Sequence, residues 1–117
     1  DNYDGDYEEA TMLLTSSGVI NRITLKEISN QGSMEIEPKG YPCILGKSKL
    51  SSDYIVDSPV VSRAHLRLSE EMSNYYVEDL NSTNGTYVNG QKLEPHKPKE
   101  INVGDQITVA DIDFIVE

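Results

Sequence analysis

The fold of this chain is decided by residues 79–90, which read DLNSTNGTYVNG. Short apolar runs rich in Tyr and Val flank a group of small polar residues. Asn-Gly between strand-like runs predicts a hairpin, because both residues tolerate a positive φ, and the pair occurs at Asn84-Gly85 and at Asn89-Gly90. A simple hairpin does not require the three further polar residues, 81–83, at its tip. The stretch is therefore also a candidate site.

Apolar and polar residues alternate on both sides of this stretch, which is typical of half-buried strands. Turn residues arrive at regular intervals, and no window has a helical period. The class is therefore all-β, a sandwich or a barrel. The predicted strands are 19–28, 34–37, 41–45, 54–56, 63–68, 75–80, 87–88, 92–93, 100–101, 106–109 and 112–116. The strand at 63–68 has one face made of Ala64, Leu66 and Leu68, and another made of Arg63, His65 and Arg67.

Length and composition exclude several classes of protein. The 117 residues suffice for one domain with a single core. The net charge of −10 argues against nucleic acid and anionic membranes as partners. No apolar run approaches the roughly 20 residues that cross a bilayer, and no signal peptide is visible. Cys43 is the only cysteine, which excludes an internal disulfide and predicts a buried thiol in a reducing compartment, the cytoplasm.

The N-terminal part of the chain has a different composition. Five acidic residues and no basic residue lie in residues 1–9. Residues 1–18 are therefore predicted to be an acidic linker or tail, and residues 19–117 the folded domain. The apolar patch at residues 11–14 either pairs along a sheet edge or belongs to the linker. Because Asp1 and not Met comes first, we expect a part excised from a larger protein.

Three loop segments carry complementary chemistry: Gly46-Lys47, Ser62-Arg63 and residues 82–85. Each adjoins a short strand, so all three are predicted to lie at one end of a sandwich. They supply an ammonium group, a guanidinium group, hydroxyl groups and backbone N–H groups, which together suit a tetrahedral oxyanion such as phosphate. Asn84 adds an amide that can hold an extended peptide backbone. On charge alone, the basic excess over residues 46–67 is better explained as an ordinary solvated surface.

Residue patterns that indicate catalysis or a metal site are absent from the sequence. His65 and His96 have no Cys or carboxylate at metal-ligand spacing. Ser62 and His65 are three residues apart on an extended chain, which does not bring a nucleophile to a base. We therefore expect no enzyme activity, no metal and no cofactor. His65 is predicted to be structural, with its ring nitrogens holding neighbouring loops.

Four segments resemble the signatures of the forkhead-associated (FHA) domain, in the same order and spacing. The resemblance extends from Ile23 to Val116 and implies a bacterial FHA domain from a larger protein. Its implied fold is an FHA-like β-sandwich of two twisted, mostly antiparallel sheets with the binding loops at one end. The matching segments are Gly46-Lys47, Ser62-Arg63-Ala64-His65, residues 79–86 with Val88-Asn89-Gly90, and Val103-Gly104-Asp105-Gln106-Ile107.

The resemblance also implies a function and the residues that perform it. The loops at one end would bind phosphothreonine in a partner protein or in the parent chain itself. Ser62 and Thr83 would bond the phosphate, with Lys47 beside them, and Arg63 would contact it or brace the loop. Asn84 would hold the peptide backbone. The structural residues would be Gly46, His65 and Gly85.

Lys47 departs from the family pattern, which has Arg after the glycine. Arginine grips phosphate through a planar fork, whereas lysine is a compact point charge. The loss of one charge-assisted bond costs on the order of 1–2 kcal/mol, about tenfold in affinity. Lys47 therefore keeps open a second interpretation, a phospho-independent scaffold or oligomerisation domain that uses another surface.

The expected partner is a protein that a Ser/Thr kinase has phosphorylated on threonine. Binding would assemble a signalling complex, with no nucleic acid and no membrane contact by this domain, which we expect to be a monomer. An intramolecular target is a further possibility, because a tethered phosphothreonine sees a high effective concentration of the site.

Overall fold

The structure, a computed structural model, describes residues 22–28 and 34–117. The predicted linker, residues 1–18, and residues 19–21 lie outside the described part. The predicted domain boundary at residue 19 therefore stays a prediction.

Within the described part, short strands follow one another along the chain. In order they are β1 (Leu25–Glu27), β2 (Glu35–Ile36), β3 (Cys43–Gly46), β4 (Tyr54–Ile55), β5 (Leu66–Glu71), β6 (Asn74–Asp79), β7 (Thr86–Val88), β8 (Gln91–Lys92), β9 (Lys99–Ile101), β10 (Gln106–Val109) and β11 (Ile112–Val116). They confirm the all-β prediction.

The strands form two sheets that pack face to face as a β-sandwich. The first has the order β2-β1-β11-β10-β7-β8, and the second β4-β3-β5-β6-β9. All neighbouring strands are antiparallel except β3 and β4, which are parallel. The predicted mostly antiparallel sandwich is confirmed.

Alternate residues of both sheets point inward and make the core, as the period-2 pattern requires. Leu25 and Phe114 of the first sheet and Leu66 and Leu68 of the second are completely buried. Cys43 joins this core with 2% exposure, which confirms the predicted burial. Desolvation, with a smaller effect of the Asp53 charge, raises the pKa of its thiol to about 11.

The two Asn-Gly pairs have different roles. Asn89 and Gly90, with φ of 51° and 83°, form the predicted tight hairpin between β7 and β8. The predicted hairpin at Asn84-Gly85 is wrong, because β6 belongs to the second sheet and β7 to the first. Gly85, with φ of 88°, instead lets the chain cross from one sheet to the other. The extra polar residues therefore belong to a connection between the two sheets and not to a hairpin tip.

The strand predicted at 63–68 begins only at Leu66. The alternation therefore does not extend to residues 63–65, and the prediction that His65 shares an outer face with Arg67 is wrong. The His65 ring is completely buried, whereas Arg67 is half-exposed. The physical reason is that the ring finds two hydrogen-bond partners between the loops that precede β5 and β7.

The sheet register brings three loops to one end of the sandwich. Leu45 near the end of β3 pairs with Leu66 at the start of β5, and Leu66 pairs with Asp79 at the end of β6. We call the connections that meet there loop 1 (residues 47–53), loop 2 (residues 56–65) and loop 3 (residues 80–85).

Candidate functional site

Loop 1 and loop 2 touch through their backbones. The Lys47 N–H donates to the Ser62 carbonyl oxygen at 2.9 Å, and the Ser48 N–H donates to the Arg63 carbonyl oxygen at 3.2 Å. Gly46 permits this approach, since a Cβ placed on it would lie 2.0 Å from the Arg63 oxygen. Any side chain at Gly46 would force the two loops apart.

Loop 2 and loop 3 are joined by two side chains. The Thr83 N–H donates to Ser62 Oγ at 3.0 Å, so the Ser62 hydroxyl keeps its own proton for another acceptor. Asn84 Nδ2 donates to the Val60 carbonyl oxygen at 2.7 Å. The exposed Asn84 side chain thus braces the second loop through its amide nitrogen.

His65 holds loops 2 and 3 from inside. Its Nδ1 accepts a hydrogen bond from the Ser62 N–H at 3.1 Å, so the proton sits on Nε2, which donates to the Gly85 carbonyl oxygen at 2.8 Å. The backbone continues the link, because Leu80 N–H donates to the His65 carbonyl oxygen at 2.9 Å. One buried ring therefore fixes the distance between Ser62 and the end of loop 3.

Asp79 organises loop 3 from its base, where it is 2% exposed. Its carboxylate accepts hydrogen bonds from the Ser82 hydroxyl (2.6 Å), the Ser82 N–H (3.0 Å) and the Thr86 hydroxyl (2.7 Å). Ser82 Oγ then accepts from the Gly85 N–H at 2.9 Å. Burial is the largest single influence on the Asp79 pKa and raises it, but the hydrogen bonds together outweigh burial and hold the pKa below its ordinary value.

Cationic and hydroxyl side chains lie on the part of the surface that the three loops form. The Arg63 and Thr83 side chains are exposed, and Ser62 is half-buried. Lys47 is also exposed, and its ammonium is 3.0 Å from an Asp57 carboxylate oxygen. Two hydroxyl groups, a guanidinium and an ammonium on three rigidly connected loops can converge on one tetrahedral anion. Among the residues that the structure describes, Asp57 is the one acidic group that forms an ion pair with them.

Two features are absent from the part of the chain that the structure describes. Among residues 22–28 and 34–117, no group of three or more His, Cys, Asp or Glu side chains is placed to hold a metal ion. The same residues contain no helix long and apolar enough to cross a membrane.

Comparison with known families identifies the architecture. The sequence pattern of the FHA domain matches residues 43–110, which is more than half of the 117 residues. The chain belongs to the FHA domain family. FHA domains are known for the recognition of phosphothreonine peptides, and the predicted membership of this family is confirmed.

Relatives of this FHA domain are longer proteins. Protein FraH of Nostoc sp. is 31% identical over 104 residues, which are 82% of this chain and 36% of FraH. The human nuclear inhibitor of protein phosphatase 1 is 32% identical over 75 residues, 62% of this chain and 21% of that protein. The chain therefore spans about a third of the first and a fifth of the second.

A solved structure supports the same assignment. EmbR of Mycobacterium tuberculosis, in complex with a low-affinity phosphopeptide, superposes with a TM-score of 0.72 and 25% identity. The match covers 82% of this chain and 24% of EmbR.

The structure brings all eight predicted site residues into one cluster at the loop end. They are Gly46 and Lys47 at loop 1, Ser62, Arg63 and His65 in loop 2, and Thr83, Asn84 and Gly85 in loop 3. The fourth family signature lies elsewhere. Asp105 accepts hydrogen bonds from Asn89 Nδ2 (3.2 Å) and the Asn102 N–H (2.8 Å), at the opposite end of the sandwich.

Sequence reasoning missed two contributors to this FHA site. Nothing in the sequence marks Asp57 as the ion-pair partner of Lys47, because the two are ten residues apart in separate loops. The Val60 carbonyl that receives Asn84 is a backbone atom, which side-chain patterns do not reveal.

Proposed function

We propose that this FHA domain binds a phosphothreonine segment of a partner protein, or of its own parent chain, without catalysis. Lys47, Ser62, Arg63 and Thr83 bind the phosphate, and Asn84 binds the peptide backbone. Gly46, His65 and Gly85 keep the loops in place. The single observation that carries the proposal is the Thr83 N–H to Ser62 Oγ hydrogen bond at 3.0 Å, since it brings Ser62 of loop 2 and Thr83 of loop 3 into direct contact.

In this proposal a Ser/Thr kinase phosphorylates the partner on threonine. Binding of the phosphorylated partner then assembles a signalling complex. The net charge of −10 supports a protein partner over nucleic acid or an anionic membrane. We further propose that the domain acts as a monomer in the reducing cytoplasm, as its lone buried thiol suggests.

Isothermal titration with a degenerate phosphothreonine peptide library, its unphosphorylated counterpart and a phosphoserine version tests the proposal. Loss of two or more charge-assisted hydrogen bonds predicts at least about a hundredfold weaker binding of the unphosphorylated library. Ser62→Ala should weaken phosphopeptide binding at least about tenfold. Ser69→Ala on β5 is the matched control and should bind like wild type. Equal affinity for both libraries would refute phosphate recognition.

The ion pair between Lys47 and Asp57 favours a second candidate, a phospho-independent interaction domain. In that case the lysine is occupied by its own neighbour and another surface binds the partner. Binding of an unphosphorylated partner that survives Lys47→Ala would select this candidate.

A further inference from the structure

A second concave surface lies beside loop 3, between the edges of the two sheets. After the β7–β8 hairpin, the chain runs from the edge of the first sheet to β9, the edge of the second. The cavity along this path has a volume of about 340 Å³, which is within the range of pockets that hold ligands. We call it the lysine groove; it is lined by Val88, Gln91, Lys92, Leu93, Glu94, Lys97, Pro98 and Lys99.

The lysine groove has an apolar floor and a cationic rim. Val88 is buried and Leu93 half-buried, whereas the lysines at 92, 97 and 99 are exposed. The one carboxylate in the groove, Glu94, lies 3.8 Å from Lys97. Among the described residues, Lys92 and Lys99 have no carboxylate within ion-pair distance. A chain with a net charge of −10 thus concentrates positive charge here.

The lysine groove is continuous with the phosphate end. A Cβ placed on Gly85 would lie 3.1 Å from Lys92 Cε, so the lysine stem lies along the base of loop 3. The Leu93 N–H donates to the Thr86 carbonyl oxygen at 2.9 Å, and the His96 N–H donates to the Asp79 carbonyl oxygen at 2.8 Å. A peptide held at Asn84 can therefore continue into the groove without leaving the protein surface.

From this placement we propose that the lysine groove binds an acidic flank of the phosphorylated partner, with one apolar side chain of that flank against Val88 and Leu93. This inference rests on the proposed function, since the phosphothreonine anchors the peptide. It adds a selection rule: partners with Glu or Asp beside the phosphothreonine are preferred over those with neutral or basic residues. Exposed ion pairs are individually weak, so the groove supplies selectivity more than total affinity.

Titration calorimetry with matched phosphopeptides tests the rule. The peptides share one phosphothreonine core and carry a flank of about six residues, long enough to span about 20 Å, rich in Glu around one Leu or with Gln in place of Glu. The flank is placed on either side of the core. On one side we expect the Glu flank to bind about five- to tenfold more tightly than the Gln flank.

Two double variants locate the preference. Lys92→Gln with Lys99→Gln should reduce it to less than about twofold, because the stems stay and the charges go. Lys26→Gln with Lys39→Gln makes the same change of charge away from the groove and should keep it. Equal affinity for Glu and Gln flanks on both sides, or a preference that survives the groove variant, overturns the proposal.

The unphosphorylated Glu-flank peptide separates this proposal from the proposed function. At high peptide concentration it should shift the backbone amide NMR signals of the non-proline residues between 91 and 99 in the wild-type protein. If no phosphopeptide binds tightly but these signals shift, phosphate recognition fails and the groove stands. If phosphopeptides bind and these signals do not shift, the groove proposal fails and phosphate recognition stands.

Discussion

Loop 3 and loop 1 both face the proposed phosphate, but they are held by different forces. Loop 3 rests on buried groups: the Asp79 carboxylate receives three hydrogen bonds, and the His65 ring spans to Gly85. Loop 1 is joined to loop 2 near its base, by the close approach of Gly46 to Arg63 and by the backbone hydrogen bonds of Lys47 and Ser48. Its outer part is open, with Leu50 99% exposed and Lys47 held by an exposed ion pair.

Loop 3 is therefore preorganised, whereas the charge of Lys47 in loop 1 can change its partner. Buried, charge-assisted hydrogen bonds fix geometry, whereas an exposed ion pair contributes little and is easily exchanged. Hydroxyl and amide groups of loop 3 therefore need no rearrangement to meet a ligand. Lys47 must leave Asp57 to do so.

The strongest test of the rigid parts is Gly46→Ala. A Cβ 2.0 Å from a backbone oxygen has to move the backbone, so we expect a loss of about 3 kcal/mol or more in the free energy of unfolding. Urea denaturation measures it. Gly40→Ala is the matched control, because a Cβ there meets nothing within 4 Å, and its stability should change by less than about 1 kcal/mol. Similar stabilities for the two variants would contradict the close packing of loops 1 and 2.

Loop 3 is tested by Asp79→Asn. The amide cannot accept all three hydrogen bonds as the carboxylate does, so we expect a loss of about 2–3 kcal/mol. Phosphopeptide affinity should fall as well, because Ser82 and Gly85 lose their support. Asp111→Asn, on the exposed β10–β11 turn, removes the same charge and should change neither quantity. If Asp79→Asn is as stable as Asp111→Asn, loop 3 is not held as described.

The same carboxylate predicts a pH dependence. Its pKa lies below the ordinary value of 3.8 in the folded protein, so the unfolded chain binds the proton at higher pH. The stability that Asp79 contributes is fully present above 3.8 and is lost as pH falls through the lower folded value. The stability gap between wild type and Asp79→Asn should be constant above about pH 5 and shrink below about pH 4. A gap that stays constant down to about pH 2.5 would contradict this assignment.

Removal of the Asp57 carboxylate, the ion-pair partner of Lys47, has the smallest expected effect of these changes. It tests whether the charge of loop 1 can be exchanged while loop 3 stays fixed. Asp57→Asn releases the ammonium and removes a carboxylate near the phosphate, so phosphopeptide affinity should rise about two- to fivefold. The free energy of unfolding should change by less than about 1 kcal/mol. Asp53→Asn in loop 1 serves as the comparison, because its carboxylate accepts the Ile44 N–H instead of facing Lys47. Unchanged or weaker binding by Asp57→Asn would show that Lys47 does not meet the phosphate.

Local patterns predicted the strands well, because each face of the sandwich repeats every second residue. The predicted hairpin at Asn89-Gly90 is present, and the predicted strands 106–109 and 112–116 leave just two residues for the turn that contains Ala110, with φ of 59°. The predicted strands at 63–68 and 75–80 leave a longer connection between them, yet the turn between β5 and β6 consists only of Met72 and Ser73, with φ of 54° and 70°. Neither residue favours that conformation, so tertiary pairing of the strands overrides local preference.

Site residues and the supports Gly46, His65 and Gly85 were predictable by type and order, whereas the atoms that each support contacts were not. Ser62, Arg63 and Thr83 stand out by type, but the buried position of His65 involves the Gly85 carbonyl, twenty residues away. Asn84-Gly85 has the same sequence as a hairpin turn, and only the assignment of β6 and β7 to different sheets distinguishes them. Contacts between loops, such as Lys47 with Asp57, leave no periodic signal.

The central claim is that three loops converge on one phosphothreonine. Backbone amide NMR shifts during titration with a tight phosphothreonine peptide test it most directly. We predict that the largest shifts fall on residues near Lys47, Ser62 and Thr83 together, and that the unphosphorylated peptide leaves these three signals unchanged. Shifts that map to an exposed sheet face, while these three amides stay still, would contradict the account.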